Sequence, residues 1–118
     1  MSFLVVLIVD NPDNCPDVLD AWDAIGITGI TILESTGMGR LKKALLRDDL
    51  PLMPSLSEIL STREVPHRTL FSVVSSQEKV DKMVAEAKKA LGDFTAPHTG
   101  FLFVVPVLEA HGLGKALD

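Results

Sequence analysis

A glycine-methionine-glycine-arginine run is the part of the sequence best suited to holding a ligand. Gly37 and Gly39 lack a Cβ, so the chain can turn sharply there and bring bare backbone N–H groups close to an anion. Arg40 follows directly, and its planar guanidinium suits a phosphate or a carboxylate. The run therefore predicts an anion-binding loop.

The other reactive side chains form no recognisable catalytic or metal-binding set. His67, His98 and His111 are scattered without an i,i+4 pair, which favours loop histidines over a metal site. Cys15 lies near a predicted helix N-terminus, but no arginine follows at the spacing of a phosphatase nucleophile. We therefore predict no catalytic residue, no metal ligand and no enzyme activity.

Composition narrows the class of protein. The chain has 118 residues, enough for a single domain over residues 1–118, and 47% of them are apolar. The net charge of −5 argues against nucleic-acid binding, and the apolar runs are too short to insert into a membrane. One cysteine and no recognisable signal peptide fit the cytoplasm. A mean hydropathy of +0.29 predicts that part of the apolar surface is covered by another subunit.

Two kinds of apolar spacing predict the elements that must position this loop. Continuous apolar runs predict strands, at residues 3–9, 29–35, 68–74 and 101–107. Apolar residues three and four apart predict one helix between Pro16 and Gly26. They predict a second helix that follows a Ser75–Glu78 capping box and ends at Gly92. The first strand is an unbroken apolar run, which predicts a central strand buried on both faces, and the order of elements given below predicts that the third strand is central too. Pro106 predicts that the fourth strand is an edge.

The order of these elements predicts an α+β fold of the ferredoxin-like βαββαβ kind. Its four-stranded antiparallel sheet carries both helices on one face. A long insertion, from about residue 36 to 67, separates the second and third strands, where a hairpin loop normally has two to five residues. Such a length is usually functional. An apolar stripe in the insertion is equally consistent with docking on the protein itself and with binding a partner.

Two segments carry a resemblance to a known family. Residues 26–40, GITGITILESTGMGR, resemble the second strand and loop entry of PII-type signal-transduction proteins, the nitrogen regulatory protein P-II-like superfamily. That family's pattern is G-[IV]-x-G-[ML]-T-[VI]-x-E, followed by G-[FY]-G-R at the opening of a long T-loop. Residues 100–107, GFLFVVPV, are similar to the family's last-strand G-K-I-F-V-x-x-V.

The resemblance implies a regulatory protein that is not an enzyme. It implies a cytoplasmic homotrimer that binds ATP or ADP in clefts between subunits. Residues 37–67 would contact a protein partner, a transporter or an enzyme, and the effector would bind one conformation of this insertion better than another. Carried over to this sequence, the candidate nucleotide contacts are Gly37, Met38, Gly39, Arg40, Gly100 and Phe101.

Several positions depart from the family pattern. Leu41 replaces a glutamine and Phe101 replaces a lysine, residues 92–99 lack a lysine-bearing glycine loop, and residues 109–115 lack paired arginines. Arg40, Lys115 and Arg68 are the cations that remain to compensate. No cofactor is certain, and of ATP, ADP and AMP as effectors these departures favour a less charged ligand, such as a nucleoside monophosphate or a cyclic nucleotide. Bicarbonate, or no ligand at all, stays open.

Two other classes of protein share the predicted fold. A CutA-like trimeric protein would bind a divalent metal through His67, His98 or His111, although the G-M-G-R run argues against it. An enzyme of the acylphosphatase type would need an arginine-bearing loop after the first strand. Residues 10–15 contain no basic side chain, which ranks that alternative last.

Overall fold

Four strands and two helices make up the described part of the chain. The computed structural model describes residues 1–37, 65–95 and 100–112. In chain order the elements are β1 (Ser2–Val9), α1 (Cys15–Ala24), β2 (Thr31–Gly37), β3 (Val65–Val74), α2 (Gln77–Leu91) and β4 (Phe101–Val107). A short 3₁₀ turn at Pro12–Asn14 leads into α1. The predicted order of elements is confirmed.

The strands form one sheet in the order β2-β3-β1-β4, and every neighbouring pair is antiparallel. Strands β1 and β3 are central, and the side chains on both of their faces are largely buried or partly buried. Pro106 lies on β4, an edge strand, where a missing backbone N–H costs least. The ferredoxin-like arrangement predicted from the sequence is therefore confirmed.

The core lies between the helices and one face of the sheet. Val5, Leu7 and Val9 alternate along β1 and are fully buried on that face. Helix α1 adds Val18 and Trp22, and α2 adds a stripe at helical spacing, namely Val80, Met83, Ala87 and Leu91. Trp22 Nε1 donates a hydrogen bond to the Met83 carbonyl oxygen at 3.0 Å, so one buried side chain joins the two helices.

The helix ends differ in part from the prediction. Helix α2 begins one residue later than expected, because the Ser76 side chain, not that of Ser75, accepts a hydrogen bond from the Lys79 backbone N–H. The predicted Ser75–Glu78 capping box is therefore wrong. The predicted stop at Gly92 is confirmed, since this residue caps α2 with a φ of 89°.

The strands bordering the insertion are displaced from their predicted bounds. Thr36 pairs with Pro66 and Gly37 with Val65, so β2 and β3 run further toward the insertion than residues 35 and 68. Residues 29 and 30 precede β2, which fits the weak strand preference of Gly29. The insertion between paired strands thus spans 38–64 rather than 36–67. Residues 38–64, 96–99 and 113–118 lie outside the described part of the chain.

Candidate functional site

The candidate ligand residues lie at one end of the sheet. Because neighbouring strands are antiparallel, β1 and β2 end where β3 and β4 begin. Gly37 is the last residue of β2, and Gly100 and Phe101 stand at the start of β4. Met38, Gly39 and Arg40 lie outside the described residues. The fold therefore places the described candidates, Gly37, Gly100 and Phe101, at the same end of the sheet.

These candidates are nevertheless on opposite edges of the sheet. Strand β2 forms one edge and β4 the other, with β3 and β1 between them. Three strand spacings separate the two edges by about 14 Å. A single chain thus does not bring Gly37 and Gly100 together around a small ligand.

Gly100 is a glycine for a steric reason. Its φ of 108° lies in the region that favours glycine, and a Cβ built on it would stand 2.1 Å from the Ile8 carbonyl oxygen. The neighbouring atom is backbone, so no side-chain rotation can relieve the clash. Close packing of the start of β4 against the end of β1 accounts for this residue without a ligand.

Phe101 contributes an exposed aromatic ring on the face of the sheet opposite the helices. The strand register aligns it with Ile8, and its ring lies 6.0 Å from that of Phe103 at an interplanar angle of 21°. Both rings are exposed. Where the family pattern has a cation, this chain presents an apolar surface that can stack on a ring or pack against another chain.

Polar side-chain contacts join β3 to β1 and to β2 at the end of the sheet from which the insertion extends. His67 Nε2 lies 3.2 Å from Asp10 Oδ1, which joins the start of β3 to the end of β1. Ser35 and Thr69 share a hydrogen bond of 2.9 Å between β2 and β3. The sequence predicted a loop histidine at position 67. The register that aligns Val9 with Arg68 brings the Asp10 and His67 side chains together.

Arg68 lies at the same end of the sheet but on the helix-facing side. Its Nη1 donates to the His67 carbonyl oxygen at 3.1 Å, and its Nη2 lies 3.8 Å from Glu34 Oε1. Its charge lowers the pKa of the Cys15 thiol, but burial has the larger effect and raises it. Cys15 is therefore a free, buried thiol.

The segment before β4 carries a fixed negative charge. The hydroxyl and the backbone N–H of Thr95 both donate to Asp93 Oδ1, and these bonds hold the pKa of that carboxyl below its ordinary value. In the family pattern this segment contains a lysine that binds phosphate. A stably ionised carboxylate here disfavours a highly charged anion.

The histidines are apart in the described residues. His67 pairs with Asp10, His111 Nε2 lies 2.6 Å from Glu109 Oε1, and His98 lies outside the described part. Within residues 1–37, 65–95 and 100–112, no three side chains of His, Cys, Asp or Glu are grouped as a metal site requires.

A small cavity opens where the segment between α1 and β2 meets the end of β3. Residues 26–29, residues 72–74 and Lys79 line it, and its volume is about 20 Å³. That space holds about one water molecule, far less than a nucleotide needs. A ligand of nucleotide size would need a larger space, lined by residues beyond those of this cavity.

Neither described helix is both long and apolar enough to cross a bilayer.

Comparison with known proteins agrees with this geometry. The chain superposes on the crystal structure of Arabidopsis thaliana PII bound to citrate with a TM-score of 0.63 and 20% identity, covering 90% of this chain and 77% of that one. For B. subtilis GlnK the TM-score is 0.60 at 20% identity, with coverages of 91% and 85%. No curated protein matches the sequence. The family model for nitrogen regulatory protein P-II matches residues 3–114, nearly the whole sequence, and the chain therefore belongs to the nitrogen regulatory protein P-II family.

Proposed function

We propose that this protein is a PII-like regulator that assembles as a homotrimer and senses a small effector in clefts between its subunits. The effector is an adenine nucleotide, and residues 37–67 transmit its binding to a partner protein, a transporter or an enzyme. The protein works in the cytoplasm and catalyses no reaction. The observation that carries the proposal is the separation of the candidate ligand residues onto opposite edges of the sheet.

That separation matters because a ring of subunits can reunite the two edges. If β2 of one subunit meets β4 of the next, Gly37 and its successors Met38, Gly39 and Arg40 face Gly100 and Phe101 of the neighbour. A head-to-tail contact of this kind closes into a ring when the rotation between subunits permits it. The effector then bridges two subunits and can report on their arrangement.

The face of the sheet opposite the helices supports this assembly. Alternate residues of all four strands give that face, here named the open face, nine apolar side chains: Leu4, Val6, Ile8, Leu33, Phe71, Val73, Phe101, Phe103 and Val105. Leu33, Phe101, Phe103 and Val105 are exposed in the isolated chain. An apolar surface of this extent is characteristic of an interface between subunits.

The charged side chains near the candidate site indicate which kind of effector fits there. Asp10, Glu34 and Arg68 lie at the end of the sheet from which the insertion extends, and Asp93 follows helix α2 close to Lys88. Citrate in the Arabidopsis structure is a small anion, which supports an anionic ligand for this family member too. A nucleoside monophosphate fits this balance of charge better than a triphosphate.

Calorimetric titration with ATP, ADP, AMP and a cyclic nucleotide tests the effector. We expect heat of binding for at least one of them, with AMP or the cyclic nucleotide bound more tightly than ATP. Substituting Arg40 by alanine is expected to weaken that binding by about 1–3 kcal/mol, the cost of a charged hydrogen bond. Absence of binding across all four nucleotides would contradict the nucleotide part of the proposal.

A charge on the open face is expected to dissociate the trimer. Leu33→Glu adds a carboxylate to a surface that the assembly buries, where an unpaired charge costs several kcal/mol. We expect light scattering to give the mass of one 12.8 kDa chain instead of three. Far-UV circular dichroism should be unchanged, because Leu33 is 49% exposed in the single chain.

Ile32→Glu is the matched control for this prediction. Ile32 is the preceding residue of β2, is 46% exposed, and points to the opposite face of the sheet. It should leave the trimer intact. Equal loss of assembly in both variants, or in neither, would contradict the assignment of the open face as the subunit interface.

A further inference from the structure

Arg68 is distinguished by its position among the cations that the structure describes. The other four, Lys79, Lys82, Lys88 and Lys89, all lie on α2. Arg68 lies on β3, and the register aligns it with Glu34 of β2 and Val9 of β1. Within residues 1–37, 65–95 and 100–112, Arg68 is the one lysine or arginine that lies on a strand of the sheet.

Among the residues that the structure describes, the Arg68 guanidinium contacts one carbonyl oxygen and one carboxylate. Nη1 is anchored on a neutral acceptor, the His67 carbonyl oxygen, at 3.1 Å. Nη2 reaches the Glu34 carboxylate by a single long contact of 3.8 Å, and the Glu34 side chain is 87% exposed. Only the first of these contacts is a hydrogen bond, because 3.8 Å is too long for one, so it uses one of the five N–H donors. An exposed pair with this geometry is weak and easily exchanged for another anion.

We propose that Arg68 binds the phosphate group of a nucleoside monophosphate, and that Glu34 is the carboxylate which this phosphate displaces. The inference rests on the proposed nucleotide-sensing function and assigns a recognition residue within it. A phosphate accepts two parallel hydrogen bonds from a guanidinium, which the single contact to Glu34 does not provide. Displacement frees Glu34 on β2, three residues before the strand ends at the insertion.

Calorimetry of four single variants with AMP and with adenosine tests this exchange. Arg68→Gln should weaken AMP binding by about 10-fold to 100-fold and leave adenosine binding unchanged, since adenosine lacks the phosphate. Glu34→Gln should strengthen AMP binding about twofold to fivefold, because it removes the competing carboxylate. Lys82→Gln and Glu78→Gln are matched controls, since these residues form an exposed pair at 3.3 Å on α2 and should change neither affinity.

Each other outcome has a defined meaning. If the wild-type protein binds AMP but Arg68→Gln loses no more affinity than Lys82→Gln, Arg68 does not hold the phosphate, and nucleotide sensing itself stands. Equal losses of AMP and adenosine in Arg68→Gln, or weaker AMP binding in Glu34→Gln, would show that the ion pair is structural. A wild-type protein that binds neither compound would overturn both this inference and the nucleotide effector.

Discussion

Replacing Trp22 by alanine is expected to destabilise the fold by about 3–5 kcal/mol. The side chain is fully buried between α1, α2 and the sheet, so its removal leaves a large cavity at the centre of the core. It also removes the hydrogen bond to the Met83 carbonyl oxygen that joins the two helices. Since domains of this size have total stabilities of about 5–15 kcal/mol, much of the native state should be lost.

Urea denaturation followed by far-UV circular dichroism measures this loss, because Trp22 is also the chain's one tryptophan and its fluorescence disappears in the variant. Trp22→Phe is the control, since it keeps an aromatic ring but cannot donate to Met83. It should cost less than the alanine variant, with about 1 kcal/mol from the lost hydrogen bond. An alanine variant within about 1 kcal/mol of wild type would contradict the position of Trp22 in the core.

Replacing Gly100 by alanine is expected to destabilise the protein by about 2–4 kcal/mol. The new Cβ would stand 2.1 Å from the Ile8 carbonyl oxygen, and the backbone would also be held at a φ that side chains rarely adopt. To relieve this clash, the start of β4 must move away from β1, and this movement weakens the hydrogen bonds between the two strands. The same urea titration measures the change.

Gly92→Ala separates the two causes. Gly92 has a similar positive φ, 89°, but a Cβ there meets nothing within 4 Å. It should cost about 1–2 kcal/mol from backbone strain alone, so the excess in Gly100→Ala reports the clash with β1. Equal costs at the two positions would show that the close approach of Gly100 to Ile8 is not present in solution.

Much of the fold could be predicted from the sequence because apolar density reflects burial. The continuous apolar run of residues 3–9 identified β1 as a buried strand, and the helical stripe ending at Leu91 identified the face of α2 that packs on the core. The ends of β2 and β3 could not be predicted in the same way. A strand continues as long as a partner residue lies opposite, so pairs such as Gly37 with Val65 emerge only in the assembled sheet.

The candidate site was less predictable than the fold. Gly100 matched the family pattern as a ligand contact, and only the nearby Ile8 backbone reveals a steric reason for a glycine there. The contact between Asp10 and His67 was not predicted, because residues so distant in the chain give no local signal of it. Whether Gly37, Met38, Gly39, Arg40, Gly100 and Phe101 hold a nucleotide stays a prediction.

A consistent physical account connects the open face to the proposed sensing. In the part of the chain that the structure describes, the sheet that buries its core against the helices also presents an apolar face and two edge strands. Covering that face with other copies removes the apolar surface from water and brings together ligand residues that one chain keeps apart. In the proposed trimer, assembly and effector binding would be coupled, since each subunit would hold only part of every site.

The mass of the wild-type protein at micromolar concentration is the most direct test of the central claim. Multi-angle light scattering on a sizing column should give the mass of three 12.8 kDa chains, with or without nucleotide. A mass of one chain under these conditions would contradict the account, because the open face would then be exposed to water and the divided site would never be completed.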